Sequence, residues 1–180
     1  MKREYIKWSI ALFAVGLIFW SCKRDFEFGY PSPKINGVVG MWTASKVELV
    51  DAVALASGAN NVKLDITDAY NLKLDQYTIT FSAETEGPSI IPTAFMVEAN
   101  GAYNFIGISR GTWKLDNMMY PTKILLQASD AFDDVMPPNA SFRIVAPPKE
   151  GTELRIAFDR IVDNEVLCSY VYTFVKVPEN

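Results

Sequence analysis

The side chains that most often carry out catalysis are scarce in this chain of 180 residues, which has no histidine and only two cysteines. Without histidine there is no imidazole to act as a general base, to activate a serine or cysteine, or to bind zinc. Two acidic clusters remain, Asp65 with Asp68, and Asp130 with Asp133 and Asp134. A pair of carboxylates can catalyse glycoside hydrolysis. Carboxylates can also bind calcium, but neither cluster has the spacing of a calcium-binding loop. We expect solvated turn residues, no enzymatic activity, no cofactor and no bound metal.

Cys22 has a chemical role of another kind, because it stands where an apolar run ends. Residues 1–8 carry three basic side chains, residues 10–20 carry no charge, and Ser21-Cys22 follows at once. This order is typical of a secretory signal peptide, and the apolar run is shorter than the roughly 20 residues that cross a bilayer. The segment ending in Cys22 resembles a bacterial lipobox. We predict that residues 1–21 are a cleaved signal peptide and that Cys22 is lipidated; an uncleaved membrane helix is the alternative.

Lipidation of Cys22 predicts where the protein resides. Several acyl chains, at about 0.8 kcal/mol for each buried methylene, make a stable membrane anchor, so labelled palmitate should enter the protein. Lys23, in place of Asp, resembles the pattern of lipoproteins that are passed on to the outer membrane. Asp25 and Glu27 resemble surface-export signals, so the cell surface and the periplasmic face both stay open. Residues 22–37 are rich in glycine and proline and predict a lipidated, flexible tether within the cell envelope.

Residues 38–180 predict one domain that consists almost entirely of β-strands. Apolar and polar side chains alternate in segments such as Tyr77–Phe81, as half-buried strands require. Ala52–Ala56 breaks this pattern and predicts a short helical turn. Many short strands with one helical interruption predict an antiparallel barrel or sandwich. We place strands near residues 40–50, 76–83, 93–99, 102–108, 110–116, 122–128, 141–146, 152–161 and 165–177.

Two dipeptides predict tight turns between these strands. Asp163-Asn164 separates the last two predicted strands, and Asn100-Gly101 separates two central ones. Asn, Asp and Gly tolerate the positive φ angles that such turns need.

The two tryptophans that follow Cys22 share a motif, because each comes two residues after a glycine: Gly40-Met41-Trp42 and Gly111-Thr112-Trp113. A glycine at this position lets the backbone pass close beneath a large indole. We interpret Gly40, Trp42, Gly111 and Trp113 as a structural motif at a barrel end, with ordinary core tryptophans on glycine-kinked strands as the alternative.

Gly40-Met41-Trp42 resembles the lipocalin signature, whose Trp plugs one end of an eight-stranded up-and-down barrel. Tyr77–Phe81, Gly111–Asp116 and Ser169–Lys176 extend the likeness, so residues 38–177 are similar to lipocalin-like lipoprotein domains of unknown function from Gram-negative gut bacteria. The resemblance implies an antiparallel up-and-down barrel of about eight strands, with the helical turn after the first strand. It also implies that a basic side chain, Lys176 or Arg160, covers the first-strand Trp.

The partners follow from charge and from the implied barrel. The formal net charge is −4 and no basic patch is present, which argues against nucleic acid. An eight-stranded barrel either holds one small molecule or is filled by its own side chains. We therefore predict a non-catalytic module that binds a small apolar molecule or a glycan. The alternative is an accessory protein of a cell-surface glycan-uptake complex, docking an envelope protein on its wall.

Four apolar or aromatic residues are the candidates for ligand contact: Tyr103, Phe105, Met118 and Tyr120. We place the ligand at the barrel end opposite Trp42, rimmed by loops such as residues 90–93 and 117–121.

Overall fold

The computed structural model describes residues 34–60, 62–87, 89–146 and 152–178. The predicted signal peptide, Cys22 and residues 22–33 of the predicted tether lie outside these residues. The last four tether residues, Lys34–Gly37, form a 3-10 turn in which Ile35 is fully buried in the core. The described part of the chain contains nine strands: β1 (Gly40–Asp51), β2 (Lys63–Asp65), β3 (Thr78–Glu86), β4 (Ser89–Glu98), β5 (Arg110–Leu115), β6 (Lys123–Gln127), β7 (Ala140–Ile144), β8 (Glu153–Val162) and β9 (Glu165–Lys176). It also contains one short α-helix, α1 (Ala52–Ala56), and single 3-10 turns at Lys34–Gly37, Ala69–Asn71 and Leu74–Gln76.

Eight of the nine strands form a closed antiparallel barrel. The order around the ring is β1-β3-β4-β5-β6-β7-β8-β9, and β9 pairs with β1 to close it. The three-residue β2, which was not predicted, pairs with the far part of β1 outside the ring. Neighbours in the ring are otherwise consecutive along the chain. The predicted all-β, up-and-down barrel of about eight strands is therefore confirmed.

The helical turn after the first strand is also confirmed, and a side chain starts it. The carboxylate of Asp51 accepts a hydrogen bond from the backbone N–H of Ala54 at 2.9 Å, which caps the N-terminus of α1. Ser57 follows the last helical residue, and Gly58 then adopts a φ of 75°. The predicted turn at Asp163-Asn164 joins β8 and β9, with positive φ at both residues. Asn100-Gly101 also turns with positive φ, but it leads from β4 into a loop and not into the next predicted strand.

The strand predicted at residues 102–108 does not form. These residues belong to a loop between β4 and β5. The side-chain oxygen of Asn104 accepts hydrogen bonds from the backbone N–H groups of Ile106 and Gly107 at 3.1 and 3.3 Å. An Asn side chain that binds its own backbone in this way competes with strand pairing. The local polar contacts of Asn104 thus outweigh the β-propensity of the surrounding aromatic and branched residues.

Large apolar side chains from all eight barrel strands meet in one buried cluster. Burying each of them stabilises the fold by roughly 1.5–3 kcal/mol, and an eight-stranded ring is just wide enough for side chains to fill. The barrel interior is therefore occupied by the protein's own residues. The largest fully buried side chains are Trp42, Trp113, Tyr77, Phe81, Phe95, Phe142, Phe174, Ile35, Ile79, Ile124, Leu126 and Leu154.

The alternating strand directions assign every loop to one of two barrel ends. The Trp42 end is the end at which β1 begins, and it carries the loop at residues 116–122. The Phe105 end is opposite, and it carries the loops at residues 99–109 and 128–139 together with the β8–β9 turn. No helix among the described residues has the length and apolar character needed to cross a bilayer.

Candidate functional site

The Trp42 end is closed by buried side chains. Trp42 is fully buried, and its indole N–H donates a hydrogen bond to the carbonyl of Val38 at 2.7 Å. Lys176 is the register partner of Trp42, and its Nζ lies 5.8 Å from the centroid of the indole. A Cβ on Gly40 would lie 2.7 Å from Cε of Lys176. Lys176 therefore covers the first-strand Trp, whereas Arg160 is exposed on β8, toward the Phe105 end.

Trp113 is also a core residue, with 1% of its surface exposed and its indole N–H bonded to the carbonyl of Ser82 at 2.7 Å. The reason for its glycine differs from the one expected. A Cβ on Gly111 would lie 1.9 Å from the backbone oxygen of Gln127 on β6. Gly111 thus makes room for a neighbouring strand, and Gly40 makes room for Lys176; neither serves primarily to accommodate an indole.

The Phe105 end contains a stack of three aromatic rings. Phe105 reaches from the 99–109 loop and lies between Tyr77 and Tyr172. Its ring centroid is 3.8 Å from that of Tyr172, at an interplanar angle of 9°, and 4.6 Å from that of Tyr77, at 25°. Burial raises the pKa of Tyr172 to about 12 and raises that of Tyr77 further, with a smaller contribution from repulsion by Tyr172. Both tyrosines therefore keep their hydroxyl protons at neutral pH.

A few polar contacts hold the loop that carries Phe105. The hydroxyl of Tyr77 donates to the side-chain oxygen of Asn104 at 3.3 Å, and the Asn104 amide donates to the carbonyl of Ile108 at 3.3 Å. Ile106 is buried beside them with 8% of its surface exposed. The aromatic slot, defined as the space between Tyr77 and Tyr172, is thus filled by a side chain from a loop and not from a strand.

The four candidate ligand residues do not form one site. Tyr103 and Phe105 lie in the same loop at the Phe105 end, with Tyr103 73% exposed. Met118 and Tyr120 lie in the loop between β5 and β6, where the carbonyl of Met118 accepts a hydrogen bond from the N–H of Lys34 at 3.2 Å. That loop is at the Trp42 end, and so is the first half of β4 with residues 90–93. Their expected position opposite Trp42 was wrong. For residues 117–121 the reason is the missing 102–108 strand, which changes the direction of each later strand. Residues 90–93 precede that segment and lie at the Trp42 end because β3 runs back to this end before β4 begins.

The acidic clusters serve loop structure. Asp65 accepts hydrogen bonds from the hydroxyl and the N–H of Thr67 at 2.6 and 3.0 Å, and these contacts lower the pKa of its carboxyl group. Asp133 accepts from the N–H of Val135 at 2.8 Å, and Asp134 pairs with Lys114. Across the described ranges, no group of three or more Cys, Asp or Glu side chains is placed to hold a metal ion.

A concave site lies on the outer wall of the barrel beside the Phe105 end. We call it the outer groove; it encloses about 710 Å³ between β4, β5 and the start of the 128–139 loop. Strand alternation explains its wall, because Phe95 and Trp113 point inward and their neighbours point outward. Its lining residues are Ala94, Phe95, Met96, Ile108, Ser109, Arg110, Gly111, Thr112, Ala128, Ser129 and Asp130.

No protein-family model, curated protein sequence or solved structure matches this chain. Its class is accordingly defined by the fold, a closed eight-stranded antiparallel β-barrel with a side-chain-filled interior. The aromatic slot and the outer groove are two features of the described residues whose geometry suits a small ligand.

Proposed function

We propose that this chain is an outer-membrane lipoprotein, anchored through acylated Cys22, whose barrel binds a small apolar or glycan ligand without transforming it. The observation that carries the proposal is the position of Phe105 between the rings of Tyr77 and Tyr172 at the barrel mouth. A loop side chain there occupies the place that a flat ligand would take. Of the two ligand classes, the slot favours a flat apolar one, because a planar phenyl ring already fills it and stacks on both walls.

The stack suits exchange of Phe105 for a ligand. A nearly face-to-face pair such as Phe105 and Tyr172 is not the offset arrangement that aromatic rings prefer. The polar contacts of Asn104 that hold the loop are 3.1–3.3 Å long, so their contribution is modest. A ligand that competes with Phe105 can bind only those molecules whose slot is open. Its apparent affinity is therefore the intrinsic affinity multiplied by the open fraction. Removing the phenyl ring should therefore tighten binding.

Indole is a suitable probe, since it is planar, apolar and soluble in water. The full chain in lipid nanodiscs, with ¹³C-labelled aromatic rings, should show Phe105 signals that move saturably as indole is added. Phe105→Ala should bind indole more tightly, as observed on the Tyr77 and Tyr172 signals, while Tyr103→Ala serves as the exposed control from the same loop. Phe105 signals that stay fixed up to the solubility limit of indole would refute the slot.

A glycan array on the same protein tests the other ligand class. Glycan binding that Tyr103→Ala abolishes and Phe105→Ala leaves intact would move the site from the slot to the exposed surface of the loop.

The docking alternative rests on a different observation, an exposed apolar surface on the β8–β9 hairpin. Ile161 is 60% exposed, Leu167 is 37% exposed, and Leu55 on the adjoining α1 is 54% exposed. Exposed apolar patches of this kind often mark protein contacts. A photo-crosslinking residue at Ile161, with one at Glu84 on β3 as the control, tests this in intact cells. A single envelope protein crosslinked from Ile161 and not from Glu84 would favour the accessory role.

A further inference from the structure

We infer that the outer groove is a second binding site, which takes a small molecule that joins an apolar body to a single carboxylate. The groove lies outside the barrel, so this inference does not depend on the aromatic slot or on displacement of Phe105.

The groove is concave because the 128–139 loop folds back over the outer wall and is fastened there. The side-chain amide of Gln127 donates to the carbonyls of Asp133 and Met136 at 2.7 and 3.1 Å, and its oxygen accepts from the N–H of Asp133 at 2.7 Å. The N–H of Ala128 donates to the side chain of Asn139 at 2.8 Å. These bonds make the loop a fixed wall, so the groove is preformed, as most ligand sites are.

Lys114 on β5 holds the same loop through two further contacts. Its ammonium lies 4.5 Å from the centroid of the Phe132 ring and pairs with Asp134. Contacts along both the first and the second half of the loop thus keep it in place. The loop forms one side of the groove, and β4 forms the other.

A buried hydroxyl at the base of the groove has no partner. Thr112 points outward from β5 and is only 9% exposed, yet its Oγ1 makes no hydrogen bond to any described residue. Buried polar groups are almost always hydrogen-bonded, and each exception calls for an explanation. The hydroxyl itself is covered by protein atoms, so a rotation of the Thr112 side chain about χ1 would bring it to a polar atom of a ligand seated in the groove and supply the missing bond.

The charged side chains on the rim indicate which polar group the ligand carries. Arg110 lines the groove, and no described ion pair involves Arg110 or Asp130. A guanidinium matches a carboxylate through two parallel hydrogen bonds. Asp130 on the facing loop would repel a second negative charge, which favours a monocarboxylate over a dicarboxylate or a phosphate.

The other lining residues indicate the chemical character and the size of the rest of the ligand. Ala94, Met96 and Ile108 present apolar surface, and Met96 is 47% exposed. The volume of about 710 Å³ lies within the roughly 300–1,000 Å³ of sites that enclose small organic molecules. An aliphatic chain of a few carbons attached to a carboxylate satisfies the apolar wall, Arg110 and Thr112 together.

Methyl NMR of methionine tests the site directly. The full chain, labelled with ¹³C at the methionine methyl groups and held in lipid nanodiscs, is titrated with sodium hexanoate. The Met96 signal should shift saturably, while the signal of Met118, in the β5–β6 loop at the Trp42 end, should not. Equal shifts at both methionines, or none at Met96, would overturn the inference.

Three matched variants test the chemistry of the site. Arg110→Gln should weaken hexanoate binding about tenfold, the equivalent of one charge-assisted hydrogen bond, whereas Arg160→Gln, an exposed arginine elsewhere, should change nothing. Thr112→Val keeps the shape of the side chain and should weaken binding about fivefold. Because this change removes an unpartnered buried hydroxyl, the variant should unfold at no lower urea concentration than the wild type. Unchanged affinity in both Arg110→Gln and Thr112→Val would overturn the inference.

Two further probes test the assigned charge. Hexan-1-ol, the neutral counterpart, should bind at least about tenfold more weakly than hexanoate. Hexylammonium should bind more weakly still; if it binds more tightly, Asp130 and not Arg110 selects the ligand, and the assignment of a carboxylate is wrong.

Discussion

Trp42→Ala should cause a large loss of stability, and the structure provides its size. Complete burial of an indole removes up to about 250 Å² from water, which at about 25 cal/mol per Å² is roughly 6 kcal/mol. That figure is an upper bound, because the unfolded chain already buries part of this surface. Measured losses for Trp→Ala in protein cores are about 3–5 kcal/mol. We expect a loss in that range for Trp42, since the hydrogen bond to Val38 is lost as well.

Two matched variants separate the contributions. Trp42→Phe keeps a buried ring but removes the indole N–H, so the carbonyl of Val38 is left without this donor; the expected loss is about 1–3 kcal/mol. Met41→Ala changes the neighbouring residue, which is 41% exposed, and should stay within about 1 kcal/mol of the wild type.

The free energy of unfolding is measured on the full chain in a mild detergent, by urea titration followed through far-ultraviolet circular dichroism. Tryptophan fluorescence is unsuitable, because Trp113 in the core also emits. A loss below about 1 kcal/mol for Trp42→Ala, or equal losses for Trp42→Ala and Met41→Ala, would refute the role of Trp42 in closing the barrel end.

Three other changes have defined outcomes. Labelled palmitate should enter the wild type and not Cys22→Ser; equal labelling would remove Cys22 from the proposed anchor. Gly111→Ala places a methyl group 1.9 Å from the carbonyl oxygen of Gln127, so urea unfolding should show a loss of about 2–4 kcal/mol, and a neutral result would contradict the close strand contact. Hydrogen bonds from Arg143 hold the pKa of Asp159 below its ordinary value. Asp159 therefore contributes stability above its unfolded pKa of about 3.9, and this contribution is lost as pH falls through the lower folded pKa. As pH falls from 5 through this range, the wild type should lose stability that Asp159→Asn does not lose, as measured by urea unfolding at each pH; parallel pH profiles would refute this assignment.

The barrel was predictable from the sequence because strand alternation leaves a period of two. Trp42, Phe81, Phe142 and Phe174 all occupy the inward positions that this period requires. The helical turn was predicted from Ala52–Ala56, whereas its N-cap, Asp51, was identified only in the structure.

The aromatic slot was not predictable, because its decisive contacts join residues far apart in the chain. Phe105 appeared to belong to a strand, and only the local hydrogen bonds of Asn104 convert that segment into a loop. The error then reversed the expected end for the loop that holds Met118 and Tyr120. One misassigned strand in an up-and-down barrel exchanges the two ends for every loop that follows.

The outer groove forms because the 128–139 loop folds back over the outer wall of the barrel. The composition of the sequence does not indicate this. The outward position of Thr112 follows from alternation, but its burial follows from a loop fastened by Gln127. A period of two predicts which face of a strand a residue occupies; it does not predict what covers that face.

The pairing of β1 with β9 has a consequence for the order of folding. Ser45 and Thr173, which bond across this seam, are 128 positions apart. During synthesis from the N-terminus, β1 is made first and its partner β9 last, so one backbone edge of β1 stays unpaired until the end. Closure of the ring is therefore the last step, and its contacts join residues far apart in the sequence. We expect slow folding through an open sheet whose two free edges are vulnerable to aggregation. Loss of β9 should leave that sheet open permanently, because β9 is the strand that closes the barrel by pairing with both β8 and β1.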